Sequence, residues 1–328
     1  MISTASAAAH PNIAFIKYWG NKDHDLRIPA NGSISMNLAP LETRTTVSFD
    51  TDLKEDQLVL NGESTTAAAL RRVSTLLDRV RGMAEVQTFA RVVSENSFPT
   101  GAGIASSASA FAALTLAAVT SLGLELPEQQ LSALARTGSG SASRSIPGGF
   151  VEWIPDQESS HAFSIAGPEH WALVDFVVLI SQEHKAVVSS DGHKLAGTSP
   201  LQEGRVLDTG RRLEICRKAL IEKDFQTFAE IVELDSTLMH SVMMTSTPPL
   251  YYWDPGTLEI MKAVRSWRAA GLQVCFTIDA GPNVHLICPE SAAEEVKRKL
   301  TALVNVKSLL ICTPGGAAWL RDPEITGV

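Results

Sequence analysis

The segment that most constrains the chain is Phe98-Pro99-Thr100-Gly101-Ala102-Gly103-Ile104-Ala105-Ser106-Ser107-Ala108-Ser109. Two glycines, a proline and several small hydroxyl side chains stand there between two apolar segments. Val86 to Val93 reads as a strand, and Ala110 to Leu122 as an Ala/Leu helix. A small-residue loop opening a helix can bring backbone N–H groups close to a ligand. Those unpaired donors and the helix dipole favour an anion, most often phosphate. No Lys-Ser/Thr pair follows the glycines, so the segment is not a Walker loop. By itself it also fits a linker, or an ordinary helix start capped by Ser106 or Ser107.

The rest of the chain limits which ligands such a loop can serve. With 328 residues it has room for about two domains. A net charge of −8 argues against a nucleic-acid partner, while leaving room for a local basic pocket around a phosphorylated small molecule. Cys216, Cys275, Cys288 and Cys312 have no metal-type spacing, and three lie in apolar, strand-like runs. They read as buried thiols of a protein in the reducing cytoplasm. Met1 to Ala9 has no basic start and no long apolar core, so no signal peptide is read there. Trp171 to Ile180 is the longest apolar run, but it contains Asp175 and is too short to span a bilayer. It reads as a buried strand, and no membrane partner is expected. The eight histidines lack H-x-x-H spacing, so no zinc site is expected.

In chain order, Ile13 to Ile16 reads as a short buried strand, followed by the polar and aromatic group Lys17, Tyr18, Trp19, Asn21, Lys22 and Asp23. Lys, Tyr and Asn together can hold a phosphate or carboxylate. A strand end with a solvated turn explains the same residues. Ile28 to Ser35 is turn-like. Thr43 to Phe49 alternates as a strand, with Gln57 to Leu60 expected to pair with it. Leu70, Val73, Leu76, Leu77 and Val80 fall at helical spacing, and Arg71, Arg72, Arg79 and Arg81 read as a solvated face. After a second helix, Glu128 to Arg136, comes another small-residue segment, Thr137 to Phe150, with Arg144 as its cation. A guanidinium among Ser and Gly suits bidentate capture of a carboxylate or phosphate.

The second half reads as helices at Glu203–Lys223, Asp224–Met243 and Thr257–Ala270. Strands follow at Gln273–Thr277, Val284–Cys288 and Lys307–Cys312, with a helix from Ser291 to Val304 before the last. This is an α+β pattern, with a domain boundary between Ser181 and Pro200. His184 and His193 flank a polar loop and read as solvated. Asp279, in Phe276-Thr277-Ile278-Asp279-Ala280-Gly281-Pro282-Asn283, sits at a strand end before a Gly-Pro turn. Such a carboxylate is either a turn residue or a base on a rigid support, open to a cleft.

Four of these segments together resemble the mevalonate diphosphate decarboxylases of the GHMP kinase superfamily. They are Asn12 to Gly20 (NIAFIKYWG), Phe98 to Ser109, Gly138 to Trp153 (GSGSASRSIPGGFVEW) and Phe276 to Asn283. The resemblance runs in order from His10 to Asn283 and includes Ser246-Thr247-Pro248-Pro249. It implies a GHMP kinase fold: an N-terminal α/β nucleotide-binding domain, residues 1–185, and a ferredoxin-like C-terminal domain, residues 186–328. ATP would lie along Pro99, Gly101, Gly103, Ala105, Ser106 and Ser107, with Ser94 and Asn96 near the nucleotide, and with Mg2+ for which Ser107 is a candidate ligand. Asp279 matches the catalytic aspartate. Arg144 and Asn12 match the pair on the substrate carboxylate, and Tyr18, Ser139 and Ser141 match substrate-phosphate contacts. Ser189 matches a serine in a loop that closes on the substrate. The family often forms homodimers.

The implied chemistry is phosphorylation of a tertiary hydroxyl by ATP, then loss of phosphate and CO2 to leave an alkene. Two positions depart from the pattern. The family's lysine after Tyr-Trp-Gly is Asn21 here, with Lys22 one place on. Many bacterial members carry Arg after the loop serine, where this chain has Ser190 beside Asp191. A charge-assisted contact contributes about 1.5–3 kcal/mol, so a pocket short of cations fits a monophosphate. The sequence therefore points to mevalonate 5-phosphate and isopentenyl phosphate. The alternatives are a diphosphomevalonate decarboxylase, a mevalonate 3-kinase without decarboxylation, and a non-enzymatic metabolite sensor.

Overall fold

The computed structural model describes residues 2–99, 106–156, 159–180 and 189–322. Its first sheet has six strands. Ile2–Ala9 lies antiparallel to Thr43–Asp50, which pairs in turn with Ala90–Asn96. Ala7, Ala8 and Ala9 are fully buried. Their small side chains let the Ala-rich helix Ser106–Ser121 lie close against the sheet, with Ala112, Ala113 and Ala117 in the contact. The apolar stripe of Ala67–Ala84 (Val73, Leu76, Leu77, Val80) closes the same core.

The sequence misassigned one pairing. Gln57–Leu60 runs parallel to Ala90–Asn96 and does not pair with Thr43–Asp50, because Ala90–Asn96 occupies that edge. The arginines of Ala67–Ala84 are not all solvated either. Arg81 is buried against Asp56, with guanidinium nitrogens 2.9 and 3.0 Å from the two carboxylate oxygens.

The second sheet draws on both halves of the chain. Ser33–Ala39 pairs with Asn12–Ile16, with Phe150–Trp153 and, through Ala39 opposite Thr313, with Ser308–Pro314. Leu173–Leu179 follows in the same sheet and is covered on both faces. Leu173, Val177 and Leu179 join one core, under helices Thr209–Glu222 and Phe225–Thr245; Val174, Phe176 and Val178 join another, under Pro255–Ala269 and Ala293–Thr301. Two covered faces explain the unbroken apolar run. Asp175 is tolerated in that run because its Oδ2 lies 2.7 Å from His285 Nδ1. The helix read over Glu203–Lys223 is broken at Asp208 into Gln202–Leu207 and Thr209–Glu222. Asp224 caps the next helix through the Thr227 N–H, at 3.2 Å. At the C-terminal end, Trp319–Arg321 returns to the first sheet alongside Ile2–Ala9. All four cysteines are buried and free.

Candidate active site

The site is built up from Asn12–Ile16, a strand with every residue buried. Where it ends, Lys17 enters a network of buried charges. The Lys17 N–H donates to Asp235 Oδ2 at 2.6 Å, and Arg212 Nε donates to Asp235 Oδ1 at 2.7 Å. Arg205 Nη2 and Asn31 Nδ2 donate to the Lys17 carbonyl at 2.7 and 2.8 Å. Every polar group of the Lys17 backbone is therefore fixed, and its side chain is aimed across the site.

There Lys17 Nζ lies 2.6 Å from Asp279 Oδ1, with the lysine side chain 1% exposed and the aspartate 28%. Burial pulls the ammonium below its ordinary value, and the Asp279 carboxylate opposes that shift. Asp279 follows the short strand Cys275–Thr277. The preceding residue is clamped: the Ile278 N–H donates to Ser236 Oγ at 3.0 Å, and His240 Nε2 lies 3.3 Å from the Ile278 carbonyl. The carboxylate thus stands on a rigid support and still reaches solvent.

The 3-10 turn Gly140–Ser145 places Arg144 beside Asn12. Arg144 Nη1 donates to Ser33 Oγ at 2.7 Å and Nη2 to Asn12 Oδ1 at 3.2 Å, while Nε is buried without a partner. Asn12 is itself oriented by donating to Ser145 Oγ at 2.8 Å and to the Ser141 carbonyl at 3.0 Å. Burial lowers the Arg144 guanidinium to about 10, against the pull of Asp279 and Tyr18. No carboxylate among the described residues is hydrogen-bonded to it, so its charge is available to an incoming anion.

Tyr18 marks the other end. Its hydroxyl donates to Asn21 Oδ1, and its ring stacks on His193 at 4.2 Å. Gly140 is required here, since a Cβ would fall 2.6 Å from the Tyr18 hydroxyl oxygen. Ser139 Oγ lies 3.1 Å from Ser107 Oγ and 3.4 Å from Ser141 Oγ. His193, read from sequence as solvated, is instead packed between Tyr18 and Trp19 and accepts the Gly20 N–H on Nδ1 at 3.0 Å. Burial drives its ring to about 3, so it is neutral with the proton on Nε2. Lys22 is exposed. Asp191 is exposed as well and pairs with Lys194 at 3.0 Å, so its charge is partly balanced. Ser189 opens the helix Ser189–Leu195, and its side chain lies outside what the structure describes.

A cavity of about 160 Å3 adjoins the serines, lined by Ser94, Asn96, Ser106, Ser107, Arg72 and Phe111. Thr45 Oγ1 lies 2.9 Å from Ser94 Oγ, and Thr43 Oγ1 donates to Asn96 Oδ1 at 2.7 Å. Apolar walls with a few polar groups suit a heteroaromatic base. Pro99 is exposed at the end of its described segment, while Gly101, Gly103 and Ala105 lie outside the described residues. Ser107 supplies a hard oxygen of the kind Mg2+ accepts, and Mg2+ commonly draws its other ligands from water and phosphate.

Comparison with known proteins identifies this arrangement. Residues 9–165 match the model of the diphosphomevalonate decarboxylase-like N-terminal domain, and residues 175–313 that of the mevalonate 5-diphosphate decarboxylase C-terminal domain. The chain belongs to the diphosphomevalonate decarboxylase family. It is 38% identical to the diphosphomevalonate decarboxylase of Candida albicans, over 89% of this chain and 86% of that one. To the phosphomevalonate decarboxylase of Haloferax volcanii it is 32% identical, over 89% and 90%. Mevalonate diphosphate decarboxylase from Staphylococcus aureus superposes with a TM-score of 0.93 at 37% identity, covering 98% of this chain and 99% of the other. A structure of MDDEF in complex with MVAPP, AMPPCP and magnesium gives 0.93 at 38% identity, over 98% and 100%. The α+β architecture is thus the GHMP kinase fold, and the chain is a decarboxylase of this family acting on a phosphorylated mevalonate. No described helix is long and apolar enough to cross a membrane.

Of the residues singled out from sequence, the structure brings Asn12, Arg144 and Asp279 together at one end. Tyr18, Asn21, Ser139 and Ser141 gather at the other, and Ser94, Asn96, Ser106 and Ser107 around the cavity. Sequence reasoning named Lys17 only as part of a polar group, without its pairing to Asp279, read His193 as solvated, and missed the Asp235 network. Only for Lys17 was there a signal: a cation directly after an all-apolar strand and before two aromatics.

Proposed function

We propose that this chain converts mevalonate 5-phosphate and ATP to isopentenyl phosphate, ADP, phosphate and CO2. The observation that carries this reading is Asn21. A neutral amide, already accepting the Tyr18 hydroxyl, stands where a diphosphate-binding member would present an ammonium. The similarity to the Haloferax volcanii phosphomevalonate decarboxylase is in keeping with it.

In this reading the nucleotide base enters the cavity lined by Ser94 and Asn96, and its phosphates approach Ser106 and Ser107 at the start of their helix. Ser107 would be one ligand of a bound Mg2+, which would supply charge neutralisation at the phosphates. Asp279, fixed by Lys17, accepts the proton of the tertiary hydroxyl as that oxygen takes the γ-phosphoryl group. Arg144 and Asn12 hold the substrate carboxylate. The C–O bond to the new phosphate then breaks, its electron pair leaving with phosphate. Positive charge grows on the tertiary carbon beside the Asp279 carboxylate. The pair from the bond to the carboxylate forms the alkene, and CO2 departs.

A second reading, diphosphomevalonate decarboxylation, is favoured by the diphosphomevalonate relatives and by Lys22, one residue from Asn21. The enzyme is further proposed to act in the cytoplasm as a homodimer, as family resemblance implies, with sedimentation velocity as the test of the dimer. Product analysis tests the reaction itself. Mevalonate 5-phosphate with ATP should yield isopentenyl phosphate, with one CO2 and one phosphate per ADP. Accumulation of a 3-phosphorylated mevalonate without CO2 would instead make the protein a kinase, and binding without turnover would make it a sensor.

A further inference from the structure

We propose that Arg27 and Arg72 form a guanidinium pair that binds the 5-phosphate of the substrate, supplying from a new direction the cation absent at position 21. The inference rests on the reading of the Tyr18 end as the phosphate end.

Arg27 lies in the turn between the short strands Asn21–Asp23 and Ile28–Pro29, held at φ 51°. It reaches the Thr137 carbonyl, and Arg72 Nη2 reaches the next carbonyl, Gly138, at 3.1 Å. Two guanidiniums thus sit on consecutive carbonyls directly before Ser139. Arg72 stands between this end and the cavity it lines with Ser106, Ser107 and Phe111; the Phe111 ring lies 4.9 Å from its guanidinium carbon, and its Nε is buried without a partner. Arg136 and Arg79 lie close by, Arg136 donating to the Leu26 carbonyl at 3.0 Å and Arg79 with its Nε also buried and unpartnered.

Among the described residues none of these four arginines forms an ion pair. The carboxylates that act on them are Asp25, in the turn, on Arg27, and Asp23, at the strand end, on Arg136, both exposed. Like charges gathered without counter-charge are costly, and a doubly charged phosphate relieves that cost. The electrostatics agree: burial and Arg27 lower Arg72 to about 10, and among the charges around Tyr18 the strongest influence is Arg27. The cluster therefore faces the Tyr18 hydroxyl and Ser139.

The test is steady-state kinetics on Arg27→Asn, with Asn chosen because it tolerates positive φ. KM for mevalonate 5-phosphate should rise roughly ten- to hundredfold, the loss of one charge-assisted contact. KM for ATP should stay within twofold, and Arg27→Lys should recover most of the lost affinity. An unchanged substrate KM overturns the proposal. So does an equal rise in KM for ATP, which assigns the charge to the nucleotide, or a Lys variant as impaired as the Asn variant, which makes the role structural. Arg72→Gln, on a helix and not in the turn, gives a second arm: a larger rise for substrate than for ATP supports the pair, and the reverse contradicts it. Running both variants on the diphosphate separates this inference from the reading of phosphate number. A wild type that prefers diphosphate ends that reading, while a KM rise on either substrate still upholds the Arg27–Arg72 pair.

Discussion

Lys17 Nζ stands 2.6 Å from Asp279 Oδ1, closing a gap of 262 residues in sequence. One residue ends a strand near the N-terminus; the other follows a strand of the C-terminal half. The contact ties the N-terminal half of the chain to the half that carries the carboxylate. It also fixes that carboxylate without enclosing it.

Lys17→Met should therefore lower kcat by about 10²- to 10³-fold, the usual effect of losing one charged group aligned with a reacting centre. KM for ATP should move far less. Stopped-time assays of ADP and CO2 check this, with Lys17→Arg expected to fall between the two. A methionine variant within fivefold of wild type would remove Lys17 from the site.

Asp235 carries the structural side of the same contact. It takes the Lys17 N–H at 2.6 Å and Arg212 Nε at 2.7 Å, with Arg205 Nη2 at 3.8 Å, and all three side chains are buried. Removing the acid leaves the buried Arg205 without its carboxylate and Arg212 with only Asp208, 2.8 Å from its Nη1. Asp235→Ala should cost about 3–5 kcal/mol in urea unfolding. A loss below 1 kcal/mol would show that the network does not support the strand end.

Acid should destabilise the protein through two histidines. Burial lowers His193 and His240 from 6.5 to about 3 in the folded chain. Between these values the unfolded chain binds more protons, so stability is full above about pH 6.5 and is lost as pH falls towards 3. For the fully buried His240 the slope is about 1.4 kcal/mol per pH unit within that window. His240→Gln should flatten the acid limb of a melting-temperature profile between pH 6.5 and 4. An unchanged profile would contradict the neutral, buried ring.

Local chemistry made much of this legible from the sequence. The Ser106–Ser121 helix, the apolar stripe of Ala67–Ala84 and the Asp224 cap are set by neighbours a few residues away. Asn12, Arg144 and Asp279 were singled out through segments whose residue order is distinctive. What stayed hidden depends on partners far off in sequence. Nothing near Arg72 announces Phe111 or Gly138, and a helical arginine looks solvated until the turn bearing Arg27 folds over it. The edge taken by Gln57–Leu60 was hidden for the same reason: strand order is decided by long-range competition between strands. His193 shows no local sign of the stack with Tyr18.

The most direct test of the account is a comparison of kcat/KM on mevalonate 5-phosphate and mevalonate 5-diphosphate, for the wild type and Asn21→Lys, following CO2 release. The wild type should prefer the monophosphate by at least tenfold. An added ammonium at position 21 should shift the ratio towards the diphosphate by about tenfold. A wild type that works better on the diphosphate, with no shift in Asn21→Lys, would contradict it.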